Sequence, residues 1–346
     1  MIKPWIFEFF PAPREPDTIS DPRLSADYFN WYLDLWPRAE PLGYEGIFFS
    51  EHHFGHAYSP APNLLIAQVA GRTSTIRLGV MGLVLPYHQP WKVAEEIGML
   101  DHLTQGRLEI GTAAGIPQEM AQVGMSVAEA RERNDEAIEI LDAALAEPVI
   151  SHRGKYWQFT DLRLVPRPLQ RPFPPKWVTV ISEDSARKAA RRGAKICTGF
   201  HPADRVRSIF DAYRDEARRV GTPSGPDQMA LRRQVSIGRD DAGVRAASRL
   251  REQQTRARLL ADPRLSAPER EVLDTPVSHA FSIGSDEFIA GSPASVAEQT
   301  IAQCREVGAG HFLATFDRTA AREQLREAWE MFGTEVIPAL RHATVN

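Results

Sequence analysis

One rhythm constrains this chain more than any other feature: short apolar runs alternate with amphipathic stretches from end to end. The first four runs are Trp5-Ile6-Phe7-Glu8-Phe9-Phe10, Gly46-Ile47-Phe48-Phe49, Ile76 to Leu85 and Leu108 to Thr112. Trp177 to Ile181, Lys195 to Gly199, Met229 to Ile237 and His311 to Phe316 follow. Most of these runs are short and unalternated, as strands covered on both faces of a parallel sheet are; Met229 to Ile237 also carries Arg232, Arg233 and Gln234. Helical spacing fills the intervals, at about 25–41, 62–73, 91–103, 127–146, 182–192, 203–220, 293–307 and 320–340. Eight strand–helix units close most naturally into a (β/α)8 TIM barrel of the α/β class. The competing open, doubly wound sheet calls for a phosphate fingerprint after strand one. Neither G-x-G-x-x-G nor G-x-x-x-x-G-K-[ST] occurs.

The rhythm breaks twice, after helix 4 at about 148–175 and after strand 7 at about 240–290. The first break reads as a hairpin built on His152 to Trp157 and Leu162 to Pro166, the second as Arg-rich and helical. We take residues 1–346 as a single barrel domain carrying these two insertions. At 43% hydrophobic the chain has ample core material. Lys+Arg 41 against Asp+Glu 45 gives no reason to expect a nucleic-acid partner. The arginines of 187–192 and of the second break read as solvated helix faces. Cys197 and Cys304 fit no metal or redox spacing, which points to a reducing compartment. The start lacks the pattern of a signal peptide, and no apolar run reaches membrane-spanning length. A soluble, cytoplasmic protein is expected.

In a barrel the site is the collected C-terminal ends of the strands. The second strand stops at Glu51-His52-His53, a carboxylate and two imidazoles that can move protons or hydrogen-bond an oxyanion. Glu8 ends strand one, and strand three offers Met81 and Gly82, then Tyr87 and His88. The small residues Thr112-Ala113-Ala114-Gly115 let a flat ligand approach the backbone, or simply let the chain pack tightly. Ser182 and Ser185 stand at a helix start, where they either cap the helix or cradle a phosphate. A metal site is a weaker reading. Glu51, His52, His53 and His56 supply ligand types, but adjacent histidines on an extended segment point apart. No metal is expected.

These residues carry a family resemblance. Glu51-His52-His53-Phe54, Arg72 to Gly79, Leu85-Pro86-Tyr87-His88-Gln89-Pro90 and Leu100-Asp101-His102-Leu103 run in one order with Gly106-Arg107-Leu108. Trp177-Val178, Ser185-Ala186-Arg187 and Gly291-Ser292-Pro293 continue that order. Together they resemble the bacterial luciferase-like, flavin-dependent monooxygenases over about 45–310. The resemblance implies a homodimeric barrel that takes reduced FMN (FMNH2) from a separate NAD(P)H-dependent flavin reductase. With O2 as co-substrate, a flavin C4a-peroxide would oxidise a small or medium organic substrate. It implies His52 as the acid/base beside the flavin, with His53 a supporting partner or substrate contact. Met81, Gly82, Thr112, Ala113, Ala114, Ser182 and Ser185 would hold the cofactor, with a cis peptide at Met81-Gly82. Glu8, Glu51 and Tyr87 would line the substrate pocket. One departure stands out: Ala113-Ala114 replaces a Cys-Arg pair whose arginine holds the phosphate, so Arg167 or the Arg187 helix would supply a cation. A deazaflavin-dependent hydride transferase and a non-catalytic flavin-binding barrel are the alternatives.

Overall fold

The computed structural model describes residues 1–12, 21–55, 57–199, 201–260, 288–317 and 320–345. Its parallel strands and covering helices are those of a (β/α)8 barrel. The chain divides into two compact units, Glu8–Glu40 with Gly46–Thr179, and Met1–Phe7 with Pro41–Glu45 and Val180–Asn346.

The first unit contains strands β2 (Gly46–Phe49), β3 (Arg77–Val80), β4 (Leu83–Val84), β5 (Leu108–Ala113) and β8 (Lys176–Val180). β3 pairs in parallel with β2, β5 with β3, and β8 with β5, while β4 pairs with the end of β5. Helices α1 (Pro22–Leu35), α2 (Pro62–Ala70), α3 (Pro90–Leu103), α4 (Pro117–Gln122) and α5 (Val127–Ala146) belong to this unit. Proline at N1 or N2 begins the first four, where its missing N–H costs nothing; Ser126 caps the fifth. In the second unit β1 (Lys3–Glu8) pairs with β12 (His311–Phe316), which pairs with β10 (Met229–Ile237), itself joined to β9 (Lys195–Thr198). Among its helices are α6 (Glu183–Arg191), α7 (Ala203–Val220), α8 (Asp241–Leu260) and α9 (Pro293–Val307).

Arg107 explains why the motif Gly106-Arg107-Leu108 matters locally. Its buried guanidinium donates to the carbonyls of Thr104, Ile76, Ala70 and Thr73 and to the Thr73 hydroxyl. One side chain thus closes the C-terminal ends of α2 and α3 over the start of β3 and satisfies carbonyls that neither helix can reach.

Several expected elements are displaced, each for a visible reason. The first strand ends at Glu8 rather than Phe10, because Phe10 turns to φ +44, with its N–H donated to Glu8 Oε1 at 2.7 Å. The third strand breaks after Val80: the chain runs so close to β5 that a Cβ on Gly82 would lie 2.6 Å from the Thr112 carbonyl carbon. The first insertion is an antiparallel hairpin, but of β6 (Val149–Arg153) and β7 (Gln158–Arg163). Residues 155–157 form its turn, their three N–H groups all donated to the Glu136 carboxylate. A further strand, β11 (Phe288–Gly291), lies parallel beside β10 where no strand was expected. The rest of the second insertion, beyond α8, lies outside the described residues. Among the described residues no helix is long and apolar enough to cross a membrane.

The tight backbone approach makes a stability prediction. A Cβ on Gly111 would stand 2.1 Å from Val80 O, whereas one on Gly71 meets nothing nearer than 3.9 Å. Gly111→Ala is expected to lower unfolding free energy by roughly 3 kcal/mol in urea denaturation, and Gly71→Ala to stay within about 0.5 kcal/mol. Equal losses at the two sites would show that the contact is not the cause.

Candidate active site

The polar residues after β2 meet those after β4 and those on α4. Glu51 is buried, and its carboxylate is a hub. Oε1 accepts from His53 Nε2 at 3.0 Å and from His88 Nε2 at 2.8 Å, while Oε2 accepts the Val84 N–H at 3.0 Å. Beside it, Glu119 is fully buried on α4. Its Oε1 accepts from His52 Nδ1 at 3.0 Å and from the His53 N–H at 3.1 Å. The adjacent imidazoles therefore part, each to its own carboxylate, as side chains on an extended segment must. The His52 ring stacks on Phe9 at 5.7 Å, and Tyr87 stands edge-on to His53 at 5.3 Å.

Burial works against the charge on Glu51, but hydrogen bonds from His53, His88 and the Val84 N–H outweigh it and hold the carboxyl below its ordinary range. Glu119 follows the same pattern: burial pulls it up, and the His52 side chain and His53 N–H more than reverse the effect. The hydrogen bond to Glu51 raises the His53 imidazole above its usual value, partial burial opposing and the charges of Glu51 and Glu119 assisting. Burial, then Glu119 and Glu51, push the Tyr87 phenol up. Two ionised carboxylates can only accept, so each facing ring nitrogen carries a proton. That assigns the proton of His52 to Nδ1 and leaves Nε2 as its free basic position, whereas His53 and His88 present Nε2–H.

Two buried polar atoms here have no hydrogen-bond partner among the described residues, Tyr87 Oη and Glu119 Oε2. Such atoms suit a polar ligand that supplies an acceptor to one and a donor to the other. The Met81–Gly82 peptide is cis, as the resemblance implies. Thr112 and Ala113 end β5, paired with Leu83 and Val84, and Ala114 precedes Gly115 at φ +93.

Other candidates have local work. Glu8 is buried, and its oxygens accept the Phe10 N–H and the Trp36 indole N–H, the latter at 3.0 Å. In the second unit Ser182 and Ser185 form a reciprocal capping box at the start of α6, with Glu183 and Asp184 in its first turn. Two of the cations considered as stand-ins for the missing arginine have local partners. Arg167 donates to the carbonyls of Ala144, Leu145 and Glu147 at the end of α5, and Arg187 pairs with Glu183. His56 lies outside the described residues. Among the described residues no three His, Cys, Asp or Glu side chains gather as metal ligands. Sequence reasoning missed Glu119, although Pro117 at a helix start with an acid in the first turn is a recognisable helix signal.

A family model described as luciferase-like monooxygenase matches residues 9–311. The chain belongs to that family. This family member is 30% identical over 237 residues to the oxygenase component of the flavin-dependent trigonelline monooxygenase of Acinetobacter baylyi, 66% of each chain. Its fold matches the oxygenating constituent of 3,6-diketocamphane monooxygenase from Pseudomonas putida, solved with FMN, at a TM-score of 0.79 and 23% identity over 98% of both chains. It also matches an F420-dependent secondary alcohol dehydrogenase at a TM-score of 0.73 and 17% identity, over 98% of this chain and 99% of that one.

The site's titrations set a stability window. Glu51 and Glu119, held below their ordinary 4.5, contribute stability that is present above that value and lost as pH falls through their depressed values. His53, raised above 6.5, contributes fully below 6.5 and loses that contribution as pH rises through its raised value. The cluster is therefore expected to stabilise most between 4.5 and 6.5. Urea midpoints measured across pH for the wild type and Glu51→Gln check this: the difference between them should be widest in that window. A constant difference would refute it.

Proposed function

We propose that this protein is a flavin-dependent monooxygenase that uses reduced FMN, delivered by a separate reductase, and O2 to oxidise a small organic substrate. The observation that carries the reading is the His52–Glu119 pair, an imidazole held by a fully buried carboxylate after β2. The family match supports it, as do two matched proteins named as the oxygenating part of a larger system.

The described residues fit the ring end of a flavin. Met81, Gly82, Thr112, Ala113 and Ala114 would lie against its plane, as the family resemblance implies. Tyr87 Oη can donate to a polar edge of the ring, and Glu119 Oε2 can accept from an N–H. Ser182 and Ser185 would take the phosphate with hydroxyls and backbone N–H groups, against two first-turn carboxylates. When bound, the reduced flavin supplies the two electrons that activate O2. His52 Nε2 takes and returns a proton at the reacting centre, and the Phe9 stack keeps its ring in plane. Glu51 holds His53 and His88 together, and with Tyr87 they shape the substrate side.

An anaerobic titration with reduced FMN, followed by mixing with oxygenated buffer, tests this reading. We expect saturable binding and a rapid O2 reaction of the bound flavin. His52→Ala should slow that reaction on the order of 10²–10⁴-fold, with flavin affinity changed only a few-fold. Hydride transfer to a deazaflavin without O2, and no binding of reduced FMN, would instead favour the F420-type chemistry found on the same fold.

A further inference from the structure

We infer that Glu119 is the positioning residue that fixes His52 as the Nδ1–H tautomer and so makes Nε2 its working nitrogen. The inference rests on the acid–base role proposed for His52, but its structural half stands on geometry alone. Glu119 Oε1 lies 3.0 Å from His52 Nδ1 and is tied at 3.1 Å to the backbone N–H of the next residue. The carboxylate therefore grips both the ring and the chain that carries it, which leaves the imidazole little freedom to turn. Glu119 is completely buried on the short helix α4, so its two oxygens are withdrawn from competing water. The nearest comparable carboxylate, Glu51, faces His53 and His88 and not His52. Nothing else described contacts the Nδ1 edge of His52 by a hydrogen bond. An imidazole in water favours its Nε2–H tautomer, in which the proton would occupy the position that must accept one. A buried carboxylate on Nδ1 reverses that preference, and an orienting carboxylate of this kind governs the tautomer in other acid–base sites.

The test uses the full-length protein with ¹⁵N-labelled histidine, so that ring-nitrogen shifts report each tautomer without any flavin. The His52 signals are assigned by their absence from His52→Ala. The wild type is expected to show a protonated Nδ1 and a bare Nε2 at alkaline pH. Glu119→Ala should revert His52 to Nε2–H. Glu119→Gln should keep the native tautomer, because the amide oxygen still accepts. Glu51→Ala should change the His53 and His88 signals and leave those of His52 in place. In the O2 reaction of bound reduced FMN, Glu119→Ala should cost on the order of ten- to a hundredfold, Glu119→Gln less. In the His52→Ala background Glu119→Ala should cost nothing more, since a residue acting through His52 has no further route. Retention of Nδ1–H in Glu119→Ala, or losses that multiply in the double variant, would overturn the inference. Wild-type rates in His52→Ala would sink the acid–base role alone, for the nitrogen shifts still decide whether Glu119 controls the ring.

Discussion

The site depends on how closely two backbones approach. Gly79, Gly82 and Gly111 let the segment after β3 lie directly on β5, at distances that leave no room for a single Cβ. That contact ends β3 at Val80 and restarts it as Leu83–Val84, paired with Thr112 and Ala113. The restart brings the Val84 N–H to Glu51 Oε2, and the 3₁₀ turn that follows presents Tyr87 and His88. Without the glycines the segment would stand off from β5 and Glu51 would lose a backbone anchor. Packing permits the polar site, and the polar site then exploits it.

Burying two carboxylates in so small a volume would be unfavourable if either lacked partners. Here each is engaged by both side-chain and main-chain donors, which hold both carboxyls below their ordinary range. The result is a division between two neighbouring histidines of the same chemical type. One ring keeps a bare nitrogen on its far side, and the other shares a carboxylate with a third imidazole. Identical side chains thus acquire different roles from which acid each one meets.

Much of the barrel was legible because strand ends are local features: an apolar run that stops at Glu51-His52-His53 states both the strand and its polar end. α5 at Val127–Ala146 and β10 at Met229–Ile237 were equally clear from their patterns. Glu119 was not, because its partners lie 66 and 67 residues away and its six-residue helix is too short to show a periodic face. β11 has four residues and no alternation, so nothing separated Phe288–Gly291 from a loop. Arg167 and Arg187 have local partners that the sequence did not show, a helix end and an i,i+4 acid. Interruption of the third strand was not legible, since the run from Leu78 to Leu85 holds no polar residue to mark a break.

The hairpin of the first insertion is fastened at two points. Glu136 grips its turn from α5, and the Trp157 indole donates to Gln89 at 2.9 Å, immediately after His88. The insertion thus ends in an indole clasp on the very loop that presents His88. The β6 and β7 arms can therefore vary in length and surface while the clasp keeps its register. A lineage can reshape the outer surface of the insertion by editing those arms and leave the Gln89 contact untouched.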